Sequence, residues 1–216
     1  MRFKRCYGVC LLLVWMIAHS QICFAQKQAK RDVRNYPEIN FDIGTSYTPI
    51  LDYAFWGLHL DFKGYITKKF STGISVTYAN KRIGYDFGYT IKKPIINFSQ
   101  IGWVNKYDFV NYKGITFFGE LVNGLSDARL GDDNEHVLTG YTKYGPVYQP
   151  KKIAENYYYL LEPGVGISIP IYKTHDNDLL NFTTRVRYRF VFGKGNYSNS
   201  DQFSNYEVCI GITIIN

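Results

Sequence analysis

Cysteine is nearly missing from this 216-residue chain once its first 25 residues are set aside: Cys6, Cys10 and Cys23 fall inside that stretch, and only Cys209 follows. No intramolecular disulfide is then possible downstream, so a fold of this size has to be held by its own secondary structure. Long apolar runs are missing too after residue 25. That excludes a transmembrane helix, though not strands, which cross a bilayer in about 9–11 residues. Basic blocks are limited to Lys27–Arg34, which argues against a nucleic-acid partner. His136 and His175 show no zinc-like spacing, and Gly164-Val165-Gly166 lies in a strand pattern rather than before a helix, so it is not a phosphate loop. No repeat, low-complexity segment or second domain appears, and no cofactor is implied.

What is present begins with a leader. Arg2, Lys4 and Arg5 precede the apolar stretch Val9–Ala18, and Cys23-Phe24-Ala25 offers a cleavage site. This is the pattern of a secretory signal peptide over 1–25, with a mature chain starting near Gln26. Lipidation at Cys23 is the alternative, disfavoured because Ser20-Gln21-Ile22 lacks the small residue expected there. Residues 26–37 read as a polar periplasmic tail. Without the leader, 22 basic and 18 acidic residues leave a net +4. Aromatics are abundant, with 20 Tyr, 15 Phe and 3 Trp, the residues that form girdles at bilayer interfaces.

Over 38–216 the sequence alternates. In the last segment Tyr206, Val208, Ile210, Ile212 and Ile214 point one way, and Glu207, Cys209, Gly211 and Thr213 the other. Strict alternation predicts a strand with one apolar face. The opposite face is mostly Gly, Ser, Thr and Asn rather than Lys and Glu, which suits the narrow inside of a barrel whose apolar face meets lipid. The same pattern predicts strands over about 38–48, 55–66, 70–79, 95–106, 114–123, 156–171, 180–192 and 206–215. The predicted fold is an all-β, eight-stranded antiparallel up-and-down transmembrane β-barrel after a cleaved signal peptide. Pro163 predicts a bulge or kink in the sixth strand. Residues 123–154 read as a long external loop, and both termini fall on the periplasmic side.

Charged residues on the polar face make a candidate site. Arg185, Arg187 and Arg189 share one face of one strand; on a lipid face each would cost roughly 2–4 kcal/mol near the midplane, so they are expected in the lumen. Asp42, Asp61, Lys63, Glu120, Glu162 and Glu207 share that side. Hairpin register predicts Glu207 opposite Arg189 and Glu162 near Arg185 or Arg187. A filled, salt-bridged lumen is one reading and an anion- or proton-conducting path along the arginines is another. His59 and Asp61, with Ser71 and Ser75 on the next strand, allow a hydrolytic triad in principle, but an inward His59 would not meet a lipid substrate; a structural His59–Asp61 contact is the plainer expectation. In the 123–154 stretch, Asp132, Asp133, Tyr141, Tyr144 and Tyr148, with Glu135, form a candidate recognition surface.

With this leader, these alternating segments and the terminal strand Tyr206–Ile215, the chain resembles the small outer-membrane β-barrels of Gram-negative bacteria, of the OmpX/OmpA-like kind and the Bacteroidetes-type "porin family" barrels. The resemblance implies location in the cell outer membrane, contact with its lipid, a monomeric barrel, and a non-enzymatic structural or interaction role. That role would run through external loops or as an accessory subunit of an envelope or secretion complex with a protein partner. The alternatives are a narrow ion or small-solute channel and a lipid-modifying enzyme. A soluble carrier is a weaker fourth reading, because it needs an apolar inner cavity.

Overall fold

The computed structural model describes residues 39–173 and 179–215. The leader 1–25 and the tail 26–37 lie outside the described residues, as does the 174–178 connection. Strands run β1 (Ile39–Ile50), β2 (Tyr53–Thr67), β3 (Phe70–Arg82), β4 (Pro94–Tyr112), β5 (Ile115–Thr142), β6 (Gly145–Lys173), β7 (Leu179–Tyr188), β8 (Phe190–Phe192) and β9 (Tyr206–Ile215). Every neighbour pairs antiparallel, and β9 returns to β1 with Asp42 opposite Thr213. Because β7 and β8 occupy successive stretches beside β6, they are two pieces of one barrel strand. The result is a closed, eight-stranded up-and-down barrel with no open edge in its wall.

Two turns show how the local sequence closes hairpins. Leu51 and Asp52 link β1 to β2 with φ of 52° and 64°, and Lys113 and Gly114 link β4 to β5 with φ of 51° and 84°. Positive φ at both central residues matches the right-handed strand twist. Leu51 accepts that backbone because its side chain is buried with Ile50 and Phe203.

Pro163 behaves differently from expectation. Its register with Leu121 of β5 is regular, and Gly164↔Arg187 and Leu161↔Phe190 share one register across it. There is no bulge. The ladder is instead interrupted opposite it, between β7 and β8, where proline has no N–H to donate.

The largest correction concerns 123–154. These residues are strand: β5 and β6 run on past the barrel wall and meet at the tight turn Lys143-Tyr144. Partners β4 and β8 stop at Pro94↔Asp132 and Tyr159↔Phe192. Beyond them β5 and β6 pair only with each other, as a two-stranded ribbon. Three register shifts between β5 and β6, at Leu130/Gly131 just inside the wall and at Asp132/His136 and Leu138/Gly140 beyond it, reset the alternation and hide the strands from a period-two reading.

Apolar side chains ring the outside: Trp56 is 66% exposed, Ile101 56% and Ile210 47%. Aromatic pairs such as Tyr47–Trp56 and Tyr107–Phe109 sit on this outer surface. No helix among the described residues is long and apolar enough to cross a membrane; the outward face of the strands is what suits a bilayer.

Candidate functional site

The lumen holds two layers. At the end bearing the described chain ends, every charge expected inside is inside: Asp42, Asp61, Lys63, Glu120, Glu162, Arg185, Arg187, Arg189 and Glu207 are all buried. Alternation puts the arginines on one face; Arg185 and Arg187 reach across the narrow lumen to other strands, and Arg189 meets the neighbouring strand β6. Arg185 pairs with Asp42 and, at 2.5 Å, with Asp61. Arg187 Nε donates to Glu120 at 2.7 Å and Arg189 Nε to Glu162 at 2.6 Å. Lys63 Nζ donates to Asp61 Oδ2 at 2.6 Å. Thr213 donates to Asp42 at 2.6 Å, and Gln100 donates to Glu162 at 3.1 Å.

The expected pairings are shifted. Glu207 lies opposite Arg187, not Arg189, and touches both loosely, at 3.8 Å and 3.5 Å. Glu162 binds Arg189, not Arg185 or Arg187. The register of Glu207 follows the turn geometry of the 193–205 connection, and that of Glu162 the pairing of β6 with β7 and β8; the sequence pattern specifies neither. Two members went unseen, Lys106 and Asp108, a pair at 2.9 Å with Lys106 also 4.5 Å from the Phe118 ring centre. They lie on β4, whose inward face mixes Phe98, Gln100, Gly102, Val104 and Lys106, so alternation gave no signal there.

The other layer is apolar. Toward the Leu51-Asp52 end the inward side chains are Ile50, Phe55, Phe98, Leu130, Tyr158 and Val191, packed with Phe203. The 193–205 connection turns back through a short 3-10 segment, Ser200–Gln202, with the Gln202 side chain accepting the Asn199 N–H at 3.1 Å. This sets Phe203 fully buried against Phe98 and Tyr158. Arg189 Cζ lies 4.7 Å from the Phe98 ring centre, where the two layers meet. The lumen is therefore filled by side chains along both layers and plugged at one mouth.

His59 is wholly buried. Its Nδ1 is 2.9 Å from Thr77 Oγ1, and its Nε2 is 2.8 Å from Asp61 Oδ1. The structural His59–Asp61 contact is present. Ser75 instead takes the edge of Arg187, at 3.4 Å, so the candidate Ser/His/Asp set is not assembled.

The candidate recognition residues divide. Tyr141, Tyr144 and Tyr148 stand out on the ribbon, Tyr144 at 88% exposure. Asp132 and Asp133 do not stand out; they anchor the ribbon's base. Asp132 is buried and accepts backbone N–H groups of Lys92, Lys93 and Asn134. The Asn134 N–H first, then those of Lys92 and Lys93, hold its carboxyl below the ordinary carboxylate range. Asp133 is paired with Arg82. Glu135 is paired with Lys151 at 2.8 Å.

No protein-family model matches the chain, and no curated protein matches it in sequence. Solved structures match in fold. Neisserial surface protein A (NspA) superposes with a TM-score of 0.51 at 13% identity, over 83% of this chain and 95% of that one. Ail, the attachment invasion locus protein of Yersinia pestis, solved with the heparin analogue sucrose octasulfate, gives 0.41 at 11%, over 84% and 97%. The N-terminal β-barrel domain of Pseudomonas aeruginosa OprF gives 0.41 at 10%, over 83% and 97%. The chain has the fold of the small outer-membrane β-barrels.

Proposed function

We propose that this protein is a non-enzymatic outer-membrane barrel that displays the β5–β6 ribbon outside the bilayer as a surface for a protein partner. One observation carries this reading: the two strands continue past all barrel pairing and present Tyr141, Tyr144 and Tyr148 to solvent. An isolated two-stranded ribbon is marginal in water, and aromatic side chains exposed on such an element gain most when a partner covers them. The described chain ends share the barrel end opposite the ribbon, which is the periplasmic end on this reading. The filled lumen and the Phe203 plug weigh against the channel alternative along Arg185, Arg187 and Arg189. His59, wholly buried in the lumen and away from the lipid face, weighs against lipid hydrolysis.

The test is site-specific photo-crosslinking in cells from Tyr141, Tyr144 and Tyr148, with Lys68 and Tyr112 at the opposite end as controls. A discrete protein adduct from the ribbon positions alone is the expected result. Adducts only from Lys68 or Tyr112 would move the interaction to the periplasmic face, and single-channel conductance lost in Arg187→Ala would replace the reading with a pore.

A further inference from the structure

We infer that the lumen contains a binding site for one borderline-soft divalent cation of the zinc class, with His59, Glu207 and Cys209 as ligands and Asp61 beside them. One ligand atom from each of His59, Glu207 and Cys209 lies within 4.8 Å of the others, and all three residues are buried. They come from two strands, β2 and β9, brought together across β1. The strand between them contributes Gly44, opposite both His59 and Gly211, so no side chain stands between the imidazole and β9. Imidazole nitrogen, thiolate sulfur and carboxylate oxygen are the donors that zinc and its neighbours prefer.

A second observation points the same way. Both carboxylate oxygens of Glu207 are buried without a hydrogen-bond partner. The arginines near Glu207 stay at 3.5 Å and 3.8 Å, and the 2.8 Å contact of His59 Nε2 with Asp61 Oδ1 places Asp61 beside the site. His59 Nδ1, by contrast, is held by Thr77. Fixing one ring nitrogen in this way is how outer-shell groups orient a ligating histidine.

The charge inventory closes with such an ion. The central network has five carboxylates, Asp42, Asp61, Glu120, Glu162 and Glu207, against four cations, Lys63, Arg185, Arg187 and Arg189. One negative charge is left over in a place where buried charge needs compensation. A divalent ion adds two positive charges, and the thiol proton lost from Cys209 on ligation adds one negative. The sum is zero. Because the lumen is closed by its own side chains, the ion would be captured as the barrel folds rather than afterwards.

The experiment folds the full chain into detergent in the presence of Co2+, removes free ion with a chelator, and reads bound cobalt and the absorption spectrum. The expected result is roughly one Co2+ per folded barrel, a thiolate-to-cobalt charge-transfer band, and its displacement by Zn2+. Cys209→Ser should keep the folded, heat-resistant barrel and lose the band. Glu207→Gln should weaken binding by more than about tenfold, since even outer-shell partners command that much. If the serine variant fails to fold, the wild-type band and its loss to Zn2+ remain decisive. Cobalt not retained, or retained without the band, overturns the site.

Discussion

The two layers of the lumen do the same job with opposite chemistry. Both must fill the narrow interior of an eight-stranded barrel. The layer nearest the described chain ends uses Arg185, Arg187 and Arg189 against carboxylates from four other strands. The layer toward the ribbon uses Ile50, Phe55, Phe98 and Phe203. The charged layer ties distant strands by directional contacts, so its members are not interchangeable. The apolar layer needs only volume and shape, and it can recruit a residue from a connection, as Phe203 shows. Two fillings of one barrel thus divide into a specified part and an adaptable part.

The largest effect should come from breaking the charged layer one partner at a time. Arg187→Ala removes the nearer cation of Glu120, leaving Arg185 at 3.5 Å, and should cost about 3–5 kcal/mol, read as the urea midpoint of the barrel in detergent. Adding Glu120→Leu to Arg187→Met should cost less than Arg187→Ala alone; an additive loss would mean the two residues are not coupled. In the apolar layer Phe98→Ala should cost about 3 kcal/mol, and a methionine there should recover most of it, which no substitute for Arg187 would do.

A smaller contrast tests loose against absent pairing. Glu207→Ala should destabilise more than Lys68→Ala, a turn change that should stay within about 0.5 kcal/mol; equal midpoints would remove Glu207 from the network. The smallest effect concerns the ribbon's base. Asp132 has a folded-state pKa below its ordinary 3.8, from its backbone hydrogen bonds. Its contribution is therefore complete above that ordinary value and is lost as pH falls through the lower, folded value. Protection of the Lys92, Lys93 and Asn134 amides, relative to their intrinsic exchange at each pH, should fall at acid pH in the wild type, and Asp132→Asn should flatten that fall. An unchanged profile would detach Asp132 from the ribbon's anchoring.

Much of this protein is written in local pattern. Alternation in β1, β2, β3, β7 and β9 assigns an outward and an inward face residue by residue, and the high cost of arginine in lipid sends Arg185, Arg187 and Arg189 inward. Those readings need only the period of a strand and the solvent on each side. Other features have no local signature. The inward face of β4 is apolar at Phe98 and charged at Lys106, because what faces inward depends on depth in the lumen. The register shifts between β5 and β6 flip the alternation between Leu130 and Gly140, so the ribbon's strands read as loop. Phe203 looks like any aromatic residue in a polar connection until the chain folds back.

The sequence by itself determined the kind of element, the number of crossings and the side of the wall for most residues, since a strand's period and transfer energies act on neighbours along the chain. Only the tertiary structure decided that Glu162 meets Arg189, that His59 and Cys209 share a space, and that β5 and β6 outrun the barrel. Those outcomes depend on register and closure, where residues far apart in sequence compete for the same few ångströms.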